Sequence, residues 1–341
     1  MAADTGGMGG PEGGRILVSA CLLGENVRWN GGHARDRFIT DILSQYVDFV
    51  PVCPEVEAGF PVPRETFRLV GDPENPRLVT SKNKVDHTDR VRRWALKRVA
   101  ELEYEDLCGF IFKKDSPNSG LFRVKVYSDS GMPVKKGVGL FARAFTERFP
   151  RIPVEEEGRL NDPVLRETFI ELIFALKRWR ETLAQKKNMA NLVDFHTRHK
   201  LLILSHSPQH YRVMGKLVAG GKSLKAGELY EQYEQQLIDA LRLKVTIKKN
   251  GNVLYHLLGY FKKELSSDEK QELLDIIDQY RQGNVPLVVP VTLVNHYVRK
   301  YEQPYLRQQV YLDKSLTIQG GYTPSFAGPG SGAPSAGHSP R

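Results

Sequence analysis

Three cysteines, Cys21, Cys53 and Cys108, are the only thiols in 341 residues, and each adjoins a short apolar run. Ile16-Leu17-Val18-Ser19-Ala20 leads into Cys21, Phe49-Val50-Pro51-Val52 leads into Cys53, and Cys108 precedes Gly109-Phe110-Ile111-Phe112. If the three meet in space, they offer three thiolates and no fourth. A four-iron cluster usually takes four thiolates, so three would leave one iron open to a non-protein ligand, and an open position marks a catalytic metal. Zinc on three cysteines is the rival, since soft sulfur suits either metal. Buried, inert thiols are the plain alternative, because free cysteine is among the most buried residue types. The separations of 32 and 55 residues match no zinc-finger spacing.

Glu55 follows Cys53 by two positions and Glu57 by four, and in an extended chain alternate side chains share a face. A carboxylate beside a bound group is placed to move protons. Ser116 and Ser119 flank Pro117-Asn118 in a loop after an apolar run, where they could donate to a carbonyl or thiocarbonyl. No G-x-S-x-G elbow is present, which argues against a hydrolase serine. His196 and His199 share a helical face without an H-E-x-x-H pattern, so they are expected on a helix surface or against RNA; His256 and His296, on apolar helices, are expected in the core.

The elements that must position these groups alternate strand and helix in the first half. Strands are predicted at Arg15 to Ala20, Val47 to Cys53, Arg68 to Val70, Gly109 to Phe112, Val124 to Tyr127 and Ile152 to Val154. Helices are predicted at Asp36 to Tyr46, Asp86 to Glu105 and Gly137 to Phe149, with Pro54 and Pro61-Val62-Pro63 keeping the segment after Cys53 irregular. The alternation predicts an α/β domain with a mostly parallel sheet, whose ligands sit beyond the carboxyl ends of the strands. Cys21, Cys53 and the Ser116 to Gly120 loop fall there. From Asn161 the pattern turns to helix: Leu165 to Leu183, Asn191 to Ser205, Gln209 to Ala219, Leu229 to Ala240, Val253 to Leu265, Asp268 to Tyr280 capped by Ser267, and Leu293 to Lys300. The fold class read from this pattern is an α/β N-terminal domain with an all-α C-terminal domain.

Charge divides along the same line. Residues 1–160 hold 24 Lys/Arg against 23 Asp/Glu, whereas residues 161–320 hold 24 against 17, a net +7. A basic helical half interleaved with Tyr211, Tyr255, Tyr260, Phe261 and Tyr297 suits a polyanion such as structured RNA; a solvated basic face is the alternative. The N-terminus lacks a basic n-region and apolar h-region, and no run approaches a membrane span, so a cytoplasmic address with no membrane is expected.

Ser19-Ala20-Cys21-Leu22-Leu23-Gly24, Asn30-Gly31-Gly32-His33, Pro51-Val52-Cys53-Pro54-Glu55-Val56-Glu57, Ser116-Pro117-Asn118-Ser119-Gly120 and Pro153 to Leu160 resemble the bacterial thiouracil desulfidase (TudS) family. Leu192 to Lys200 and His256 to Lys263 look like the YbgA-type (DUF1722) helical domain. The pairing is similar to that of the RudS desulfidases, which act on 4-thiouridine in tRNA. Gly-, Pro- and Ser-rich composition predicts disordered tails at 1–14 and 317–341, and the resemblance implies a desulfidase-like domain at 15–160, a linking helix at 161–187 and a YbgA-like domain at 188–316. It implies a 4Fe-4S cluster on Cys21, Cys53 and Cys108, with the open iron taking sulfur from the substrate as hydrosulfide in a non-redox exchange of C=S for C=O. Glu55 becomes the proton-transfer residue and Ser116 the catalytic serine, with Ser19, Arg28, His33, Glu57 and Ser119 binding substrate. Many single-domain relatives carry cysteine where this chain has Ser119, and Cys108 is expected to take that place. tRNA, held by the basic helical domain, is the expected substrate; free thiouracil or thiolated nucleotides, and a non-catalytic iron–sulfur RNA-binding regulator, are the alternatives.

Overall fold

The computed structural model describes residues 14–128 and 130–313; the tails expected at 1–14 and 317–341 lie outside them, save Gly14. The first domain is built on a four-stranded parallel sheet: β1 (Arg15–Ser19), β2 (Asp48–Val52), β5 (Leu107–Phe112) and β8 (Val154–Glu156), in the order β2-β1-β5-β8. Because all four run the same way, their carboxyl ends open on one edge.

Alternation sorts the strand side chains onto two faces. Leu17, Val50, Val52, Phe110 and Phe112 pack under α2 (Thr88–Glu101) and α3 (Leu140–Arg148) through Ala95, Val99, Phe141 and Phe145. Ile16, Val18, Cys108 and Ile111 face the other way, onto Ile39, Leu43 and the long helix α4 (Pro163–Ala184). Every residue of β5 is buried, as a central parallel strand requires. A Cβ on Gly109 would come within 2.8 Å of Ile173 Cγ2, so glycine is what lets α4 lie this close.

A second sheet, β4-β3-β6-β7, leans on the first: β3 (Phe67–Val70), β4 (Arg77–Thr80), β6 (Val124–Tyr127) and β7 (Pro133–Gly137). It mixes a parallel pair, β3 with β6, with two antiparallel ones. The sequence reading lacked β4 and β7. Two further differences are local. Phe38 to Gln45 winds as π and 3-10 turns rather than an α-helix. Pro54 starts the one-turn helix α1 (Pro54–Glu57) instead of preventing one, because its missing N–H is not needed at a first helical position.

α4 is capped by Asp162, whose side chain accepts from Val164 N and Leu165 N. The all-α half continues with α5 (Met189–His206), α6 (Pro208–Gly220), α7 (Ala226–Leu241), α8 (Ile247–Tyr260), α9 (Ser267–Arg281), α10 (Val288–Lys300) and α11 (Pro304–Arg307). The cap of α9 is Ser266, not Ser267: its hydroxyl accepts Glu269 N while Glu269 reaches back to Ser266 N, a reciprocal capping box. α4 serves both cores. Phe169 and Ile173 close the sheet, while Leu172, Leu176 and Trp179 belong to the helical core, with Trp179 stacked on Tyr233. Among the described residues no helix is long and apolar enough to cross a membrane.

The histidines sit opposite to expectation. His199 is fully buried, stacked on Phe195 with Nδ1 2.8 Å from the Phe195 carbonyl and Nε2 without a partner. His196 is buried against the Tyr233 hydroxyl at 3.1 Å. Burial pushes His196 down to about 4 and His199 down to about 3. His256 and His296, expected in the core, are exposed. The helical period of each helix places these residues relative to a core that the local pattern does not locate.

Candidate active site

Three strand ends meet around a cavity of about 370 Å³, a size within the usual range for small-molecule sites, roughly 300–1,000 Å³. Beyond β1 the chain makes a 3-10 turn, Ala20–Leu23, that carries Cys21 and ends on Gly24 at φ 99, a left-handed position that suits glycine. Beyond β2 comes Cys53, then α1 with Glu55 in its first turn. Beyond β5 comes the Lys113 to Gly120 loop. Cys21, Cys53, Glu55, Ser19, Arg28, Ser116 and Ser119 all line the cavity.

The Glu55 carboxylate is held from three sides. Asn118 Nδ2 donates to Oε1 at 2.8 Å, the Arg64 guanidinium lies 3.7 Å from Oε2, and Cys53 Sγ lies 3.5 Å from Oε2. The Glu55 side chain is 12% exposed and that of Arg64 7%, so both are nearly removed from water. Arg64 Nε and Asn118 Oδ1 are buried without partners. Of the two, Arg64 lines the cavity, whereas Asn118 is fully buried behind its wall. Burial, then the neighbouring Glu55 charge, pushes the Cys53 thiol up to about 12. Burial pushes Cys21 up to about 11, opposed by Lys113 and Arg28.

The loop after β5 owes its shape to groups around it. Ser116 Oγ accepts from Asn118 N at 3.2 Å and Ser119 N at 3.0 Å, a tight turn. Ser19 Oγ accepts Lys113 N at 2.9 Å, tying β1 to the loop's first residue. The acidic run at the end of β8 supports it from behind: Glu157 pairs with Lys113 Nζ and accepts Lys114 N, and Glu156 accepts Leu121 N and Phe122 N.

Three expected site residues lie elsewhere. Cys108 is at the opposite edge of the sheet, two residues into β5 where β1 begins, with Arg15 beside Leu107. It is fully buried, its Sγ 3.8 Å from the Asp106 carbonyl. From Cys108 to Lys113 the strand advances on the order of 16 Å, at about 3.3 Å per residue. Its count as the third thiol suggested a ligand, but it stands at the start of its strand whereas the other two follow the ends of theirs. Glu57 is outside the cavity lining; it accepts Cys53 N at 3.0 Å and pairs with Arg98 at 3.1 Å, so it fixes the Cys53 backbone. His33 is exposed, with Nδ1 accepting Arg35 N. Conversely, Arg64, Asn118, Lys113 and Trp29 were not singled out. Trp29 lines the cavity while 48% exposed, and its carbonyl accepts Arg64 N at 2.7 Å. The Trp29-Asn30-Gly31 turn formers were the signal available for it. Among the described residues no three His, Cys, Asp or Glu side chains come close enough to share a metal ion.

In the helical half, Tyr255 and Tyr260 are exposed, Tyr260 stacks on Tyr305, and Lys200 Nζ lies 4.8 Å from the Tyr305 ring centroid. Phe261 and Tyr297 are in the core and unavailable to a partner.

A family model described as 2-thiouracil desulfurase matches residues 16–157, and one described as "Protein of unknown function (DUF1722)" matches residues 200–315. The chain is 34% identical over 142 residues to the uncharacterized protein YbgA of Escherichia coli (strain K12), covering 41% of this chain and 84% of that protein. It is 30% identical over 153 residues to the uncharacterized protein YbbK of Bacillus subtilis (strain 168), covering 43% of this chain and 98% of that one. Among solved structures, the 4Fe-4S-dependent thiouracil desulfidase TudS is similar at 24% identity and a TM-score of 0.36, over 45% of this chain and 97% of that one.

Proposed function

Since the chain belongs to the 2-thiouracil desulfurase family in its first domain and to the DUF1722 family in its second, we propose that the strand-end cavity removes sulfur from a thiolated uracil. The observation that carries this reading is Glu55, a nearly buried carboxylate aimed into the cavity beside a thiol and fixed by Asn118 and Arg64. The net reaction is hydrolytic: C=S and water become C=O and hydrogen sulfide, with no oxidant or reductant. Glu55 accepts a proton from the attacking water as oxygen bonds to the thiocarbonyl carbon, and the carbon–sulfur bond then breaks with sulfur leaving as hydrosulfide. Ser116 lies on the cavity wall as a donor to the base. Lys113 and Arg28, also on the wall, favour the anionic leaving group.

The cluster implied by the resemblance needs three thiolates, and the thiols present do not fit that set. Two line the cavity and the third lies at the far edge of the sheet.

The substrate we favour is 4-thiouridine in tRNA, on the strength of the basic helical half and its exposed Tyr260–Tyr305 stack with Lys200 above it. The deciding experiment is anaerobic incubation of the full chain with thiolated tRNA and, separately, with free 2-thiouracil and 4-thiouridine, followed by nucleoside mass analysis. Loss of 4-thiouridine from tRNA is expected. Conversion of the free bases alone would leave a small-molecule desulfidase, and no conversion of any would overturn the reading.

A further inference from the structure

The second sheet packs only one of its faces. Leu69, Leu78, Val124 and Val126 lie in a core with Phe60, Val91 and Leu140. Successive side chains of a strand alternate, so Arg68, Lys125 and Lys135 stand on the opposite face. The register lines them up. Leu69 is beside Val126, which puts Arg68 beside Lys125 one step earlier, and Lys125 pairs directly with Lys135. With about 4.8 Å between strands, three cations cross the sheet within roughly 10 Å. Lys136, the extra residue at the register shift, adds a fourth cation on β7.

Lys125, Lys135 and Lys136 are exposed, and among the described residues none of the three makes an ion pair. Arg68 is held in place, with Nη2 donating to Ser81 O at 3.0 Å and its guanidinium 5.3 Å from the Tyr127 ring centroid. Like charges directly opposite one another on a sheet are destabilising, so the fold carries a standing repulsion that a bound anion relieves. Lysines on an edge strand can serve merely to keep other strands off, and that accounts for β7. It does not account for Arg68 and Lys125, because β3 and β6 each have a neighbouring strand on both sides.

This face adjoins the cavity. Thr66 and Phe67 line the cavity wall, and Thr66 stands two positions before Arg68, about 7 Å away along an extended chain. Both residues are tied to Ser81, Thr66 through its hydroxyl at 2.9 Å and Arg68 through the Ser81 carbonyl.

We infer that Arg68, Lys125 and Lys135, on the outer face of the second sheet, hold the sugar–phosphate backbone of an RNA substrate beside the base that enters the cavity. The inference rests on the thiolated-uracil reading only for the kind of polyanion. Phosphate contacts fix register and orientation without reading sequence, so the sheet face positions the strand and the cavity selects the base. The first domain then binds RNA on its own account, in addition to the helical half. A free base or nucleoside carries no phosphate and gains nothing from this face.

The test measures binding of an unmodified transfer RNA transcript to the full chain, by fluorescence anisotropy across a salt series. Lys125→Gln with Lys135→Gln is expected to weaken binding about tenfold and to lower the slope of log affinity on log salt by roughly 1.4–1.8, at about 0.7–0.9 per phosphate contact. Lys125→Arg with Lys135→Arg keeps the charge and is expected to bind like wild type. Arg93→Gln with Lys97→Gln makes the same charge change on the exposed side of α2 and is expected to leave the slope unaltered. An unchanged slope in the Lys125 and Lys135 variant would overturn the assignment, as would an equal loss in the α2 variant, or a wild type that binds anionic phospholipid vesicles and no RNA. Should the double variant not fold, Lys125→Gln alone decides, with about half the change in slope. No turnover enters these measurements. RNA binding in this pattern without conversion of thiolated uracil would keep the face and remove the activity; conversion of the free base with RNA binding indifferent to the lysines would do the reverse.

Discussion

Acid should unfold the helical domain through His196 and His199. Both stay neutral in the folded chain because burial disfavours their charged forms, which lowers them from an ordinary 6.5 to about 4 and about 3. The unfolded chain binds protons from about pH 6.5 downward while the folded one does not, so stability present above that pH falls as pH falls. Between about pH 8 and pH 5 each histidine removes roughly 2 kcal/mol, from 1.36 kcal/mol per unit over about 1.5 units, or roughly 4 kcal/mol for the pair. That is a large share of a typical domain stability of about 5–15 kcal/mol. The loss continues to about pH 4 for His196 and to about pH 3 for His199, where each folded site finally takes its proton. His199→Phe isolates one contribution. The ring stays stacked on Phe195, the partnerless Nε2 disappears, and the titration is removed. Urea unfolding followed by helical circular dichroism at the two pH values is expected to show the variant losing about 2 kcal/mol less than wild type. Equal losses would refute the reasoning, because other groups are common to both chains.

Two further outcomes bear on the cavity. Asn118→Ala removes the 2.8 Å bond that aims Glu55; a hydrogen bond to a charge contributes about 1.5–3 kcal/mol, so kcat/KM for thiolated uracil should fall roughly 10- to 150-fold, carried by kcat, and unchanged kinetics in a folded variant would remove Asn118 as a positioning residue. Trp29, exposed at the rim while Trp179 is fully buried, is placed to stack on a base; Trp29→Ala should weaken binding of a thiolated nucleoside by about 1–3 kcal/mol and abolish the fluorescence quenching that accompanies it in wild type.

The position of the site was legible from pattern because a parallel sheet sends its strand ends to one edge. Cys21, Cys53 and the Ser116 to Ser119 loop each follow an apolar run, and all reach the cavity. Cys108 failed on the same rule, since it precedes its run; counting thiols overrode their order along the chain. What pattern does not carry is contact between distant segments. Arg64 arrives from a proline-rich loop and Asn118 looks like an ordinary turn residue, yet together they hold Glu55. β7 escaped notice because its exposed Pro133-Val134-Lys135-Lys136 has no apolar face; it is a strand only because β6 offers it an edge. In the helical half, period found the helices but not which stripe faces inward, so the histidines were placed inside out.

The dual allegiance of α4 has a consequence for how the molecule comes apart. With Phe169 and Ile173 on the sheet and Trp179 inside the helical core, a break anywhere along this helix strips one half of a wall. Cutting before it uncovers β5; cutting after it leaves Leu172, Leu176 and Trp179 facing water, a sticky surface on an otherwise intact first domain. The two halves therefore melt as coupled partners rather than as beads on a string, and a dissection that asks whether either half binds RNA at all must repaint that helix face with polar side chains before its answer concerns binding rather than clumping.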